Sequence, residues 1–224
     1  MVRTGTSVAE SYGLRLRSQF LSWHESHRSL SDTCIDRALG IRHIEIEREL
    51  DLVKLILEFQ TERLIYSATP YNVIRDAMRG LNPGRGDVFY DLGAGYGRVL
   101  LYGALTHGAT FRGIEIVPSR VEEANRIRSH LALEQLDFRQ GNAQSDDFSD
   151  GNLFFLFNPF FSEVLQVVGL RLRRIAQTRQ IRIASVANSN AYFARQRWLG
   201  EIDLPMRSSQ PWSPYELRLF VSRV

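Results

Sequence analysis

From residue 88 to the C-terminus, short runs of aromatic and β-branched residues alternate with longer stretches in which apolar residues recur at helical spacing. This alternation predicts an α/β domain in which helices connect the strands of a mostly parallel sheet. The predicted strands are 88–91, 110–116, 136–140, 153–157, 181–187, 200–204 and 215–221. No helical stretch separates the last two, which indicates that they form an antiparallel pair.

The first 65 residues have helical spacing and carry no recognisable chemistry. A Ser-Asp pair at 31–32 predicts the start of a short helix that ends at Gly40. Apolar residues recur 4, 7 and 11 places after Ile46, which predicts one amphipathic helix of about four or five turns. We expect residues 1–65 to form a helical extension that packs on a core of 66–224, because this apolar run is too short for the heptad seam of a dimer.

The most informative stretch begins at Asp91, which ends a short apolar strand and is followed by Gly93, Gly95 and Gly97. Helical spacing resumes directly after the third glycine, so the stretch predicts a strand, a tight turn and a helix. Glycine allows a ligand to approach the backbone closely, and ligands bind at the carboxyl ends of strands in open α/β sheets. The sequence therefore predicts a nucleotide-like cofactor at this turn.

The pattern D-x-G-x-G-x-G resembles motif I of the class I, seven-β-strand S-adenosylmethionine-dependent methyltransferases, and it differs from the dinucleotide pattern G-x-G-x-x-G. The acid suits this cofactor, because its ammonium needs a carboxylate partner whereas a pyrophosphate would be repelled. The resemblance implies a Rossmann-like seven-stranded sheet, mostly parallel with an antiparallel last strand. It also implies that Asp91 holds the amino group of S-adenosyl-L-methionine while Gly93 and Gly95 allow its close approach.

A short segment that precedes this motif carries a second resemblance. Tyr66, Thr69 and Pro70 match the Tyr-x-x-Thr-Pro segment of small lysine methyltransferases related to the telomeric-silencing and ATP-synthase c-subunit enzymes. In those families the segment helps to cover the methionine end of the cofactor, which implies that role for Tyr66 and Thr69. Thr69 and Pro70 also predict an N-cap and a first helical residue, with the helix ending at Gly80.

Two further residues are predicted to contact the adenosine. Glu115 ends the second strand, 22 places after Gly93, close to the spacing at which an acid accepts hydrogen bonds from ribose hydroxyls. Asn142 follows the third strand at a place where the methyltransferase pattern usually has an aspartate that contacts adenine. The amide oxygen of Asn142 can accept the same hydrogen bond, or Asp146 or Asp147 can take the role.

After the fourth strand, Asn158, Pro159, Phe160 and Phe161 resemble motif IV of amino-methylating class I enzymes, with Phe160 in place of a second proline. The resemblance implies that the Asn158 side chain and a backbone carbonyl orient an acceptor nitrogen towards the sulfonium methyl. An aromatic ring at 160 or 161 stacks on the substrate or faces the developing positive charge. We therefore predict Asn158, Pro159 and Phe160 as catalytic residues, with Asn158 also facing the cofactor.

Composition excludes several classes of protein. The single cysteine, Cys34, excludes an internal disulfide framework, and the absence of a Cys or His cluster argues against a metal site. No apolar run approaches the roughly 20 residues of a membrane span, and Met1 to Gly13 lacks the apolar core of a signal peptide, so we expect a cytoplasmic protein. Five arginines between 171 and 182 suit either helix-end stabilisation, which we prefer, or binding of an anionic partner.

These observations predict a methyltransferase that uses S-adenosyl-L-methionine to methylate an acceptor nitrogen. In-line transfer from a sulfonium needs no metal, because orientation and a dry pocket do most of the work. The resemblance to lysine methyltransferases favours a protein substrate. A nucleic-acid base amine is the alternative, and a non-catalytic module that binds the cofactor or a partner is an alternative of another class.

Overall fold

The computed structural model describes residues 8–59, 61, 64–157, 162–204 and 215–223. Within these residues the strands are β1 (Val88–Leu92), β2 (Thr110–Glu115), β3 (Leu136–Gln140), β4 (Leu153–Phe157), β5 (Arg182–Val186), β6 (Leu199–Ile202) and β7 (Leu217–Ser222). The helices are α1 (Val8–Glu25), α2 (Asp32–Leu39), α3 (His43–Glu49), α4 (Leu52–Phe59), α5 (Tyr71–Leu81), α6 (Arg98–Thr106), α7 (Pro118–His130), α8 (Ser162–Ala176) and α9 (Ser189–Ala194).

The described strands form one sheet in the order β3-β2-β1-β4-β5-β7-β6. Strands β1 to β5 are parallel, and β7 lies antiparallel between β5 and β6. This arrangement confirms the predicted fold, a Rossmann-like seven-stranded sheet with an antiparallel last strand. From β1 the chain adds β2 and β3 on one side of the sheet and β4 and β5 on the other, so the strand order reverses at β1. A reversal of this kind opens a crevice for a ligand at the carboxyl ends of the strands.

Helices cover both faces of the sheet, and strands such as β4 contribute to both cores, because successive side chains of a strand point to opposite faces. On β4, Leu153 and Phe155 belong to the core that contains the buried residues of α5, α6 and α7. The intervening Phe154 and Leu156 belong to a second core with α8 and α9. Each of these four side chains is fully buried, which explains why β4 is a continuous apolar run.

The first helix of the N-terminal region, α1, packs on α6. Phe20 of α1 is fully buried, and its ring lies 5.4 Å from the ring of Tyr102 on α6. Helix α2 has the predicted caps. The Ser31 side chain accepts a hydrogen bond from the Cys34 amide at 3.4 Å, and Gly40 ends the helix with a left-handed φ of 76°.

The predicted single helix through residues 46–57 is wrong, because the structure has two short helices there. Leu50 adopts an extended conformation with ψ 125°, which separates α3 from α4. Asp51 then accepts a hydrogen bond from the amide of Lys54 at 3.0 Å and so caps the start of α4. The spaced residues Val53 and Leu57 are 70% and 74% exposed, so they do not form a buried apolar face. The short acid at 51 satisfies helix donors locally and allows a new start.

The predicted N-cap at Thr69 is also wrong. Pro70 is the N-cap of α5, and its first amide, that of Tyr71, donates to the Asp32 carboxylate of α2 at 2.8 Å. The helix continues through Gly80 and ends at Asn82, which adopts a left-handed φ of 44°. The cap of α5 is therefore supplied by a residue almost 40 places earlier in the chain, which no local pattern indicates.

Candidate functional site

The turn after β1 has the geometry that its glycines predict. Gly95 and Gly97 adopt left-handed φ values of 53° and 79°. The amides of Gly93 and Ala94 both donate to the carbonyl of Ile114 at the end of β2, at 2.9 and 3.0 Å. These bonds fix the turn against the neighbouring strand and leave its backbone on the crevice side of the sheet.

A cavity of about 370 Å³ opens beside this turn. Its lining comes from the N-terminal region, the glycine turn, the ends of β2 and β3, and the start of α8. The lining includes every described residue that was predicted to bind a cofactor, namely Tyr66, Thr69, Asp91, Gly93, Gly95, Glu115 and Asn142. The predicted catalytic residues Asn158, Pro159 and Phe160 lie outside the described residues. The strand that leads to them is described, and its last residue, Phe157, lines the cavity.

Asp91 is a buried acid of the cavity wall. Its side chain is only 3% exposed, and no described residue donates a hydrogen bond to its carboxylate. Burial, together with the nearby charge of Glu115, raises the pKa of Asp91 well above its ordinary value. Burying an unpaired carboxylate costs free energy, and groups of this kind concentrate at functional sites. Asp91 is therefore ready to receive a cation.

Glu115, in contrast, is held from three directions. One carboxylate oxygen accepts from the Gly95 amide at 2.8 Å, and the other accepts from the Val117 amide at 3.0 Å. The guanidinium of Arg120 lies 3.6 Å from the second oxygen. An ionised carboxylate has about four acceptor positions, so Glu115 retains acceptor capacity on its cavity side.

Asn142 is part of a tight turn rather than a free side chain. The side-chain oxygen of Asn142 accepts a hydrogen bond from the backbone amide of Gln144 at 2.9 Å, and the backbone amide of Asn142 donates to the carboxylate of Asp146. Asp147 is exposed, and hydrogen bonds from the Ser149 side chain and from the Ser149 amide lower the pKa of its carboxyl. Asn142 and Gln144 line the cavity. Neither aspartate is among the lining residues, and the contact of Asn142 with adenine stays a prediction.

Tyr66 forms part of the cavity wall directly over the glycine turn. Its ring meets that of Tyr96 edge to face, with the centroids 4.8 Å apart. A Cβ added at Gly95 would lie 2.9 Å from the Tyr66 ring, so a side chain there would displace it. Thr69 is buried nearby, and its carbonyl accepts from Arg98 at 3.2 Å. The two residues thus reach the same end of the cavity.

Several lining residues were missed by reasoning from the sequence. Phe59, Leu64 and Ile65 come from the N-terminal region, whose sequence offered no sign of a site. Arg98 and Arg120 are buried cations at the starts of α6 and α7. The sequence offered one sign of their role in each case: Arg98 directly follows the glycine turn, and Arg120 lies shortly after the acid that ends β2.

The arginines between 171 and 182 bind the protein itself where the structure shows their contacts. Arg171 donates to the carbonyls of Ala143 and Asp146 at 3.0 and 2.6 Å, and Arg179 donates to those of Asp150 and Ser149. These contacts support the structural interpretation of the cluster. Within the described residues, no group of three or more His, Cys, Asp or Glu side chains could hold a metal ion. A search of the same residues finds no helix long and apolar enough to cross a membrane.

Neither a protein-family model nor a curated protein matches this chain. Among solved structures, it is similar to an RNA methyltransferase from Salinibacter ruber in complex with S-adenosyl-L-homocysteine, at 25% identity and a TM-score of 0.51, covering 70% of this chain and 92% of that one. It is also similar to TrmN from Thermus thermophilus, at 15% identity and a TM-score of 0.52, covering 67% and 48% of the two chains. A dimethyladenosine transferase from Plasmodium falciparum matches at 7% identity and a TM-score of 0.52, covering 70% and 62%.

These similarities and the strand order show that the chain has the Rossmann-like fold of class I methyltransferases. The matches at 15% and 7% identity support the fold alone. The similarity to the Salinibacter ruber protein extends over nearly the whole of that chain. The finer resemblance of residues 66–70 to the small lysine methyltransferases stays a prediction.

Proposed function

We propose that this protein is a methyltransferase that binds S-adenosyl-L-methionine in the cavity beside the glycine turn. The observation that carries the proposal is the buried carboxylate of Asp91, which has no hydrogen-bond donor among the described residues and lies next to a left-handed glycine turn in a class I methyltransferase fold. The similar Salinibacter ruber enzyme, which is in complex with S-adenosyl-L-homocysteine, supports the choice of cofactor.

The described residues fit this cofactor in charge and in size. A cavity of about 370 Å³ is in the range of pockets that enclose small molecules. Asp91 would hold the amino group, which supplies the positive charge that this carboxylate lacks in the free protein. Glu115 would accept hydrogen bonds from the ribose hydroxyls with its remaining acceptor positions, and Asn142 would lie against the adenine. When bound, the cofactor supplies a methyl group on a positively charged sulfur, which is the electrophile of the reaction.

Tyr66 and Thr69 would cover the methionine end of the cofactor. Tyr66 lies against Gly95, and the Thr69 carbonyl is bonded to Arg98, so both are fixed beside the turn before a ligand binds. A preformed wall of this kind would exclude water and lower the entropic cost of orienting the cofactor and the methyl acceptor. This arrangement supports their predicted role in cofactor binding.

We propose Asn158, Pro159 and Phe160 as the catalytic residues. The Asn158 side-chain oxygen and the Pro159 carbonyl would accept hydrogen bonds from the acceptor amine and aim its lone pair at the methyl group. Phe160 would face the positive charge that develops on the nitrogen. Support comes from Phe157, which ends β4 at the cavity, because the next residues continue from that point. We expect Asn158→Ala to abolish most methyl transfer, as measured with radiolabelled cofactor. Calorimetry should show that the variant still binds S-adenosylhomocysteine, because Asp91 and Glu115 would supply the main polar contacts.

The acceptor that we propose is a protein amine of the lysine type. The support is the Tyr-x-x-Thr-Pro segment at 66–70, whose first residue forms part of the cavity wall. A nucleic-acid base amine is the second candidate, because the similar Salinibacter ruber protein is an RNA methyltransferase. Labelling a lysate with radioactive cofactor and digesting separate samples with protease and with nuclease distinguishes the two. Label that becomes soluble only after protease treatment supports a protein acceptor, whereas label released only by nuclease supports the alternative.

Calorimetric titration with S-adenosylhomocysteine tests the cofactor itself. We expect binding that Glu115→Ala weakens by about 1 to 3 kcal/mol, the range for a hydrogen bond to a charged group. No binding to a folded native chain would refute the proposal. Tight binding without methylation of any lysate component would instead support a non-catalytic cofactor-binding module.

A further inference from the structure

The N-terminal region reaches the cavity through one buried guanidinium. Arg120, in the first turn of α7, is only 4% exposed and lines the cavity. It forms a two-pronged ion pair with Glu47 of α3, from Nε to Oε1 at 2.8 Å and from Nη2 to Oε2 at 3.1 Å. Nη2 also donates to the carbonyl of Leu64 at 2.5 Å. Arg120 therefore contacts helix α3 through Glu47 and the segment before the core through Leu64, and it also lines the cavity.

Glu47 has a second partner on the cofactor side. The hydroxyl of Tyr96, in the glycine turn, donates to Glu47 Oε1 at 2.8 Å. Helix α3 has no buried residue, so little apolar packing holds it in place. The hydrogen bond from Tyr96 to Glu47 attaches it to the glycine turn. One carboxylate of the N-terminal region thus holds both the glycine turn and Arg120.

The distance from Arg120 to Glu115 decides what this arrangement does. Arg120 Nη1 lies 3.6 Å from Glu115 Oε1, which is close enough for charge attraction but too long for a good hydrogen bond. The acceptor positions of Glu115 that face the cavity stay free, because the fork of the guanidinium is committed to Glu47.

Removing the negative charge of Glu47 would release that fork. A guanidinium prefers a two-pronged pair with a carboxylate, and among the described residues Glu115 is the other carboxylate within 4 Å of Arg120. Arg120 would then occupy acceptor positions on Glu115 that ribose hydroxyls need. Glu47 therefore keeps Arg120 beside Glu115 without letting it cover that carboxylate.

We propose that Glu47 and Arg120 are positioning residues for the ribose-binding carboxylate Glu115, so that helix α3 is a functional part of the cofactor site. This inference rests on the proposed function. It assigns to the N-terminal region a role in ribose recognition in addition to its packing on the core.

The test compares S-adenosylhomocysteine with its 2′-deoxy analogue by calorimetry. The native protein should prefer the ribose form by about tenfold, the value of one hydrogen bond to a charged group. Glu47→Gln should weaken binding of S-adenosylhomocysteine by roughly three- to tenfold and leave binding of the analogue nearly unchanged, so that the preference is lost. The matched control is Glu49→Gln, an exposed residue of the same helix, which should keep the native preference.

A purely structural ion pair predicts a different result. Glu47→Gln would then weaken both ligands equally and preserve the preference, and this outcome would overturn the inference. A double-mutant cycle gives a second readout. If Glu47 acts through Glu115, then Glu47→Gln should add almost no loss of affinity in a Glu115→Gln background, whereas additive losses would contradict the inference.

Thermal unfolding of each ligand-free variant establishes that it is folded before titration. If Glu47→Gln does not fold, Arg120→Lys provides the test, because it keeps a cation near Glu115 but cannot form the fork with Glu47. That variant should lose the ribose preference, and retention of the preference would overturn the inference. Failure of the native protein to bind S-adenosylhomocysteine would refute the proposed function, whereas an unchanged preference in the variants refutes only the role of Glu47 and Arg120.

Discussion

Asp91→Asn should change ligand affinity and protein stability in opposite ways. Asn has nearly the shape of Asp but carries no charge, so the substitution leaves the β1 backbone and the cavity volume almost unaltered. In the free protein the Asp91 carboxylate is 3% exposed and has no donor among the described residues. Its negative charge is therefore a cost to the folded state that only a bound cation offsets.

The expected loss of affinity follows from the cofactor's ammonium group. A hydrogen bond between charged partners contributes about 1.5 to 3 kcal/mol, which corresponds to roughly 10- to 150-fold in Kd. We expect Asp91→Asn to weaken S-adenosylhomocysteine by a factor in this range. The melting temperature of the ligand-free variant should equal or exceed that of the native protein, because stability and function oppose each other at such a site.

The pH dependence has a definite sign. Because the pKa of Asp91 in the folded protein is raised above its ordinary value of 3.8, the folded state binds this proton more tightly than the unfolded chain. The contribution of this group to the stability of the ligand-free protein therefore falls as pH rises from about 4 through its folded pKa. The stability difference between Asp91→Asn and the native protein, measured by urea unfolding across this range, should grow in favour of the variant.

Two results would refute this reasoning. Native affinity in Asp91→Asn would mean that this carboxylate does not pair with the ligand's ammonium. A clear fall in the melting temperature of the ligand-free variant would mean that Asp91 has a structural partner that stabilises its charge. Glu163→Gln is a useful control, because Glu163 also lines the cavity but lies at the start of α8.

Three further outcomes are expected. Gly97→Ala should lower the free energy of unfolding by about 2 to 5 kcal/mol, because φ is 79° there and the new Cβ would lie 2.3 Å from Phe138 Cζ. Burial lowers the pKa of His24 and His107 to about 4, so stability should be full above pH 6.5 and fall towards pH 4, by about 1 to 2 kcal/mol for the pair after allowing for partial exposure. Leu57→Ala should change the free energy of unfolding by less than about 0.5 kcal/mol, because this side chain is 74% exposed.

Each of these expectations has a matched control in urea unfolding. Gly108→Ala should be mild, since the nearest atom to its new Cβ is 3.5 Å away and belongs to a flexible arginine. The double variant His24→Asn, His107→Asn should flatten the slope between pH 4 and 6.5, and a native profile that is already flat would contradict the pKa argument. Phe20→Ala removes a fully buried ring and should cost about 3 to 5 kcal/mol, in contrast to Leu57→Ala.

The sequence by itself determined the features that depend on a few consecutive residues. The strand and turn of Asp91 to Gly97 were predictable because β-branched runs and alternating glycines have strong local preferences. Glu115 was placed at the end of β2 for the same reason, and the helix between Ser31 and Gly40 was predictable because both caps are local. From these elements the fold class and the position of the cavity beside the glycine turn followed.

Only the tertiary structure decided which distant residues meet at the cavity. The cap that Asp32 gives to α5 and the link from Glu47 through Arg120 to Glu115 are absent from any local pattern. Each joins segments separated by tens of residues, and spacing along the chain does not encode such distances. These contacts form because buried charges must find partners once the sheet and its helices exclude water, and the available partners are known only when the chain has folded.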